Sequence, residues 1–92
     1  MALLSEAEIQ RALADSAWER RGQAIAREWE LADFDAAIAF VNRVAELARE
    51  ADHHPDILVH GWNKVRLELS THSAGGLTAA DLALAARIDG LV

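Results

Sequence analysis

The most regular stretch of the chain lies between Lys64 and Ser70. Val65, Leu67 and Leu69 alternate with Lys64, Arg66 and Glu68. A period of two predicts a strand with one buried face. Ile57 to Val59 predicts its partner, with Gly61-Trp62-Asn63 as the connecting loop and Asn63 as the residue that tolerates positive φ. A three-residue loop sets Val59 opposite Val65 and Ile57 opposite Leu67, so both strands agree on the apolar face. A two-residue loop would set Val59 against Arg66 and mix the faces. From Asp33 to about Ala51 the period changes. Phe34, Ala37, Ile38, Val41, Val44, Ala45 and Ala48 recur at three- and four-residue steps, and Phe40 and Leu47 widen the stripe. That pattern predicts a broadly buried helix capped by Asp33 and stopped at His54-Pro55, because a residue before proline avoids the helical region.

Three further elements complete the order. Ser5 and Glu8 have capping-box spacing, Leu4 and Ile9 are placed as a hydrophobic staple, and Ile9, Ala12 and Leu13 form one apolar face. A short first helix therefore ends near Asp15-Ser16. Ile25, Trp29 and Leu31 share a parity that Arg27 interrupts, which favours a half-buried strand after a turn at Arg21-Gly22 and a short strand at Trp18. The last helix starts at Thr78. Leu77 and Leu82 are its staple, Asp81 sits at its third position, and Ala85, Ala86, Ile88 and Leu91 continue its apolar side. The expected fold is α+β, in the order helix-strand-strand-helix-strand-strand-helix. It is a four-stranded antiparallel sheet with three helices on one face, a single domain over residues 1–92.

Composition narrows the functions. At 92 residues the core is thin, since a chain this short buries roughly two-thirds of its unfolded surface. Hydrophobic residues make up 52%, but 20 of the 92 are Ala, which buries little area. Oligomerisation is a natural remedy. The net charge of −6 argues against nucleic acid, which needs a basic face. The absence of cysteine excludes disulfides, thiolate catalysis and thiolate zinc sites. No run reaches the roughly 18 apolar residues of a membrane span, and Met1-Ala2-Leu3-Leu4 does not resemble a secretion signal, so a cytoplasmic location is expected.

The candidate chemistry is imidazole. All four histidines, His53, His54, His60 and His72, fall within twenty residues. The hairpin register carries Asp52, His53 and His54 towards Ser70, Thr71 and His72, near the start of the last helix, and leaves His60 at the turn end as a surface residue. Imidazoles with unperturbed pKa values of about 6.5 supply both donors and acceptors near neutrality, which suits acid/base catalysis. The plainer reading is a polar helix terminus, where a histidine cation suits the dipole. Zinc on two His and one Asp is a further reading, but adjacent His53 and His54 lack the usual ligand spacing, so no metal is expected. Trp29 reads as core. Trp62 reads as a dimer contact or a lid, and Trp18 either packs or stacks on a planar ring.

Asp52-His53-His54-Pro55, Trp62-Asn63-Lys64-Val65, Leu69-Ser70-Thr71-His72, and Gly76-Leu77-Thr78 with Asp81 together resemble the pterin-4a-carbinolamine dehydratases. The resemblance covers nearly the whole chain, with Trp18 similar to the aromatic before the family's first hairpin turn and Phe34 to Ala45 similar to its long helix. It implies an α+β fold that dimerises by joining sheets, with some members forming tetramers. It implies conversion of 4a-hydroxytetrahydrobiopterin to quinonoid dihydropterin and water, in pterin recycling for an aromatic amino acid hydroxylase. His53 and His72 then resemble the acid/base pair and His54 the third imidazole. Asp52 would orient and charge-balance them. Thr71 and Asp81 resemble pocket residues and Trp18 an aromatic wall, with no cofactor. One position departs from the family pattern: Arg49 stands where an acidic residue is usual, with Glu50 beside it. One residue is about 100° of helix, so Glu50 does not simply replace it. The alternative function is a non-catalytic dimerisation or assembly factor that binds a protein partner. Relatives of that kind have lost the histidine set that is intact here.

Overall fold

The structure is a computed structural model and describes residues 2–92. Its elements run α1 (Glu6–Leu13), β1 (Glu19–Arg21), β2 (Ala24–Glu30), α2 (Phe34–Ala51), β3 (Asp56–His60), β4 (Lys64–Leu69), a single 3-10 turn (His72–Ala74) and α3 (Ala79–Asp89). The four strands form one antiparallel sheet in the order β1-β2-β4-β3. Among the described residues no helix is long and apolar enough to cross a membrane.

Local chemistry fixes the helix starts. Ser5 Oγ accepts from the Glu8 amide at 3.1 Å while Glu8 Oε1 accepts from the Ser5 amide at 2.8 Å. Asp33 Oδ1 accepts from the Ala36 amide at 2.7 Å. Thr78 and Asp81 form the reciprocal box on α3. Each such cap is worth about 1 kcal/mol.

The hairpin register follows the alternation of the sequence. Val59 pairs with Val65 and Ile57 with Leu67, and β4 is joined on its other edge by β2 through Trp29↔Val65 and Ile25↔Leu69. Val65, Leu67 and Leu69 are fully buried against Ile25, Trp29, Phe40, Val44, Leu84 and Ile88. The core therefore lies on one face of the sheet, beneath the helices, while Glu28, Glu30, Lys64, Arg66 and Glu68 occupy the other parity.

Four details depart from the sequence reading. Ile57 remains 40% exposed, because β3 is an edge strand that the helices only partly cover. Phe34, at the very start of α2, is 53% exposed rather than part of the buried stripe. Ala26 is buried on the parity expected to face solvent, between its cross-strand neighbours Glu19 and Glu68. Gly61 and Trp62 take the left-handed conformation in the hairpin loop, at φ 53° and 61°, in place of Asn63. Asn63 is instead buried and pins β4 to the segment after β2: its Nδ2 donates to the Leu31 carbonyl at 3.0 Å, and its carbonyl accepts from the Leu31 amide at 2.8 Å. The end of α2 at Ala51 is where the sequence reading put it, and a turn of its own makes it before His54-Pro55 is reached. Asp52 is left-handed at φ 49°, and the His53 amide bonds back to the Ala48 carbonyl at 3.1 Å while the Asp52 amide reaches Arg49 at 3.2 Å. This is the Schellman arrangement, with an aspartate where glycine is commonest.

Candidate active site

The Schellman turn turns the chain out of α2 so that His53 and His54 lie beside the end of β4. Beyond β4, Thr71 bridges to Gly76, and the loop between them closes on itself. The Thr71 amide donates to the Gly76 carbonyl at 2.8 Å, and Ala74 and Gly75 both donate to the Thr71 carbonyl at 3.0 Å. Gly75 takes φ 76°, a conformation that glycine adopts at no steric cost. That tight loop holds His72 and Ser73 in the lining of the same cavity as the histidine pair. Asp52, His53, His54, Ser70, Thr71, His72 and Ser73 line one cavity of about 220 Å³.

Beneath the cavity is a buried polar network. His53 Nε2 lies 2.6 Å from Asp81 Oδ1, and Asp81 is fully buried. The other carboxylate oxygen of Asp81 accepts from Thr71 Oγ1 at 2.8 Å and from the Thr78 amide at 2.9 Å. Thr71 Oγ1 and Thr78 Oγ1 are also 2.8 Å apart. The carboxylate that caps α3 is thus the same one that anchors His53. Burying it is tolerable because both oxygens have hydrogen-bond partners. The His53 side chain is only 14% exposed, whereas His54 and His72 are exposed at the rim.

The expected site residues therefore separate into groups. His53, His54, His72, Asp52 and Thr71 come together around the cavity. Asp81, expected as a pocket residue, lies below the lining and reaches the cavity only through His53 and Thr71. Asp52, expected to orient the imidazoles, makes the αL turn that places them, and its side chain sits at the cavity wall. Trp18 is not brought to this cavity. It is buried edge-to-face against Trp29, with ring centroids 5.6 Å apart, and its Nε1 donates to Asp89 Oδ1 at 2.8 Å. The same Asp89 oxygen takes Arg27 at 2.6 Å, and the Arg27 guanidinium lies 4.7 Å from the Trp29 ring centroid. That stacking explains how an arginine sits on the apolar parity of β2. Trp18 instead borders a larger cavity of about 340 Å³ between α1 and α3, which has no histidine in its lining. The smaller cavity holds the convergent titratable groups and is the better candidate for chemistry. Ser73 was missed by sequence reasoning, since a lone serine after a histidine carries no signal until the loop closes.

His60 lies at the far end of the hairpin, 2.6 Å from Glu28 Oε1 on the outer sheet face. Glu50 is held away from the site by Arg87 of α3 at 2.8 Å. Arg49 is exposed on the last turn of α2. No group of three or more His, Cys, Asp or Glu among the described residues has the geometry of a metal site.

Comparison with known proteins gives a consistent result. Residues 2–91 match the family model described as pterin 4 alpha carbinolamine dehydratase. A protein of Roseiflexus castenholzii named "Putative pterin-4-alpha-carbinolamine dehydratase" is 52% identical, with 99% of this chain and 98% of that one covered. One of the same name from Chloroflexus aurantiacus is 56% identical, covering 97% and 96%. Among solved structures, a transcriptional coactivator/pterin dehydratase from Brucella melitensis superposes with a TM-score of 0.91 at 31% identity, over 98% of both chains. A pterin dehydratase-like protein identified as a RuBisCO assembly factor in the alpha-carboxysome superposes with a TM-score of 0.68 at 27% identity, over 82% of this chain and 88% of that one.

Proposed function

The chain belongs to the pterin 4 alpha carbinolamine dehydratase family, and from that membership and the cavity geometry we propose that it dehydrates 4a-hydroxytetrahydrobiopterin to quinonoid dihydropterin. The observation that carries the reading is the convergence of His53, His54 and His72 on one cavity, with His53 anchored on buried Asp81.

The reaction breaks the C4a–O bond and the N5–H bond and forms a C4a–N5 double bond. One proton must reach the leaving hydroxyl, which departs as water, and one must leave N5. The net proton balance is zero, so one acid and one base suffice. We assign His53 and His72, which both line the cavity, as the pair. His54 is the third imidazole, at the rim, able to take part in proton transfer with the pair or with solvent. General acid/base groups of this kind contribute about 10²–10⁴-fold each. Asp52 and Thr71 complete the wall around the flat, polar ring. The enzyme is thus a hydro-lyase working in the cytoplasm in tetrahydropterin recycling, upstream of renewed use by an aromatic amino acid hydroxylase, and it needs no cofactor.

A homodimer or homotetramer fits the surface. The β3 edge offers unpaired backbone groups together with exposed Ile57 and Leu58, and Trp62 projects from the adjoining loop at 63% exposure. An edge strand with exposed apolar side chains is one that proteins usually cover.

The second reading is a non-catalytic assembly or dimerisation factor. It is favoured by the likeness to the RuBisCO assembly factor and by Arg49 at the position where the family pattern is acidic. Turnover of freshly generated 4a-hydroxytetrahydropterin, followed by ultraviolet absorbance, decides between them. Turnover above the spontaneous rate supports the dehydratase. A folded, oligomeric protein without turnover, as wild type and as Arg49→Glu, overturns it in favour of the partner-binding role.

A further inference from the structure

The hydroxyl groups below His53 do more than fill space. Thr71 has one hydroxyl proton, and it goes to Asp81 Oδ2 at 2.8 Å. With its own proton on Asp81, Thr71 can only accept in the 2.8 Å contact between the two threonine hydroxyls. The Ala80 amide in turn donates to Thr78 Oγ1 at 3.3 Å. The chain of donors runs from the first turn of α3 through Thr78 and Thr71 and ends on the carboxylate. The Thr78 amide adds a second donor to the same oxygen at 2.9 Å. Asp81 also sits in the first turn of α3, where the helix dipole favours negative charge. Among the described residues, every group that meets Oδ2 gives it a proton. Oδ1 meets only His53 Nε2 among the described residues, at 2.6 Å.

We infer that Thr71 and Thr78 are positioning residues that keep Asp81 a pure acceptor, so that His53 carries a proton on Nε2 and presents Nδ1 as its reactive nitrogen. The remaining nitrogen follows by elimination. Nε2 is committed to Asp81, His53 borders the cavity, and Nδ1 makes no hydrogen bond among the described residues. Thr71, which also borders the cavity, then has no hydroxyl proton to give a substrate. It acts through Asp81. Thr78 lies outside the lining altogether and acts through Thr71. A neutral imidazole in water interconverts between two tautomers, and this network selects one of them.

The consequence for turnover rests on the dehydratase reading, but the tautomer does not. The test is ¹⁵N NMR of histidine-labelled protein above neutral pH, without substrate. The expected result for His53 is a single tautomer, with a protonated Nε2, an unprotonated Nδ1 and a deshielded, slowly exchanging Nε2 proton. Thr71→Val keeps the volume and removes the hydroxyl, so it should give a mixture of tautomers and lose the slow proton. Thr71→Ser should restore both. In turnover assays Thr71→Val should lower kcat about 10- to 100-fold with little change in KM, the usual effect of losing a group that orients a histidine, and Thr71→Ser should recover most of it.

A proton on Nδ1 in the wild type overturns the inference, as does a wild-type spectrum in folded Thr71→Val. If Thr71→Val does not fold, the wild-type and Thr71→Ser spectra still decide. A single Nε2–H tautomer without any turnover leaves this inference standing and removes the dehydratase reading. Turnover with an Nδ1–H tautomer does the reverse.

Discussion

His53 Nε2 and Asp81 Oδ1, 2.6 Å apart, tie the residue that follows α2 to the first turn of α3. One carboxylate thereby closes a helix cap and holds an imidazole. Its loss should be felt in stability and activity together. Asp81→Asn preserves volume but puts a donor where a second acceptor oxygen is needed. A buried group left unsatisfied costs about 1–3 kcal/mol. Urea denaturation should show a loss of that order, and turnover should fall even where the protein is fully folded.

The histidines should divide by position. His53→Ala and His72→Ala should each remove about 10²–10⁴-fold of turnover. The His72→Ala fold should be unchanged, because that side chain is exposed at the rim. His60→Ala should leave turnover alone, since His60 pairs with Glu28 at the other end of the hairpin. Initial rates and far-ultraviolet circular dichroism check all three, and a large loss in His60→Ala would contradict the location of the site.

Asp52 offers a way to separate backbone from side chain. At φ 49° a non-glycine residue sits in the left-handed region, at a cost of roughly 1–2 kcal/mol, less for Asp than for most. Asp52→Gly should hold or raise the thermal midpoint, and Asp52→Val should lower it. Turnover of a stable Asp52→Gly then reports on the carboxylate itself. If its charge matters to the imidazoles, the rate drops while stability does not.

Arg49→Glu should cost little in stability. An exposed cation in the last turn of a helix gains about 0.3–1 kcal/mol from the dipole, and reversing its sign forfeits that. Glu50 beside it is already paired with Arg87 of α3 at 2.8 Å. Chemical denaturation alongside turnover measures both effects.

The N-terminal helix carries a pH dependence of definite sign. Glu6 is held below the ordinary carboxylate value of 4.5 by its hydrogen bonds and charge pairing with Arg20, and Glu8 by its hydrogen bonds with Ser5. A carboxyl with a lowered folded-state pKa contributes stability that is present above its unfolded value and is lost as pH falls through the folded one. Amide hydrogen exchange of α1 should therefore be protected relative to Glu6→Gln near neutral pH. The difference should vanish in acid, well below pH 4.5.

Much of this molecule is local and was legible in the sequence. The caps at Ser5, Asp33 and Thr78 need only a side chain and the amides two or three residues on. The β3–β4 register needs only alternation and loop length, because slipping by one residue would turn Val65, Leu67 and Leu69 into water. The cluster of His53, His54 and His72 followed from that same register. Other features depend on neighbours far along the chain, and no local period encodes them. Ile57 is exposed because β3 lies at an edge, which strand order decides. Trp18 packs on Trp29 and Asp89 instead of facing the histidines, because β1 lies across the sheet from β3. Asp81 reaches His53 because α3 begins where α2 ends. Periodicity says which face of each element is buried. Only the packing of those faces against each other determines which buried polar groups meet, and here it joined two threonines, a cap carboxylate and an imidazole into one network.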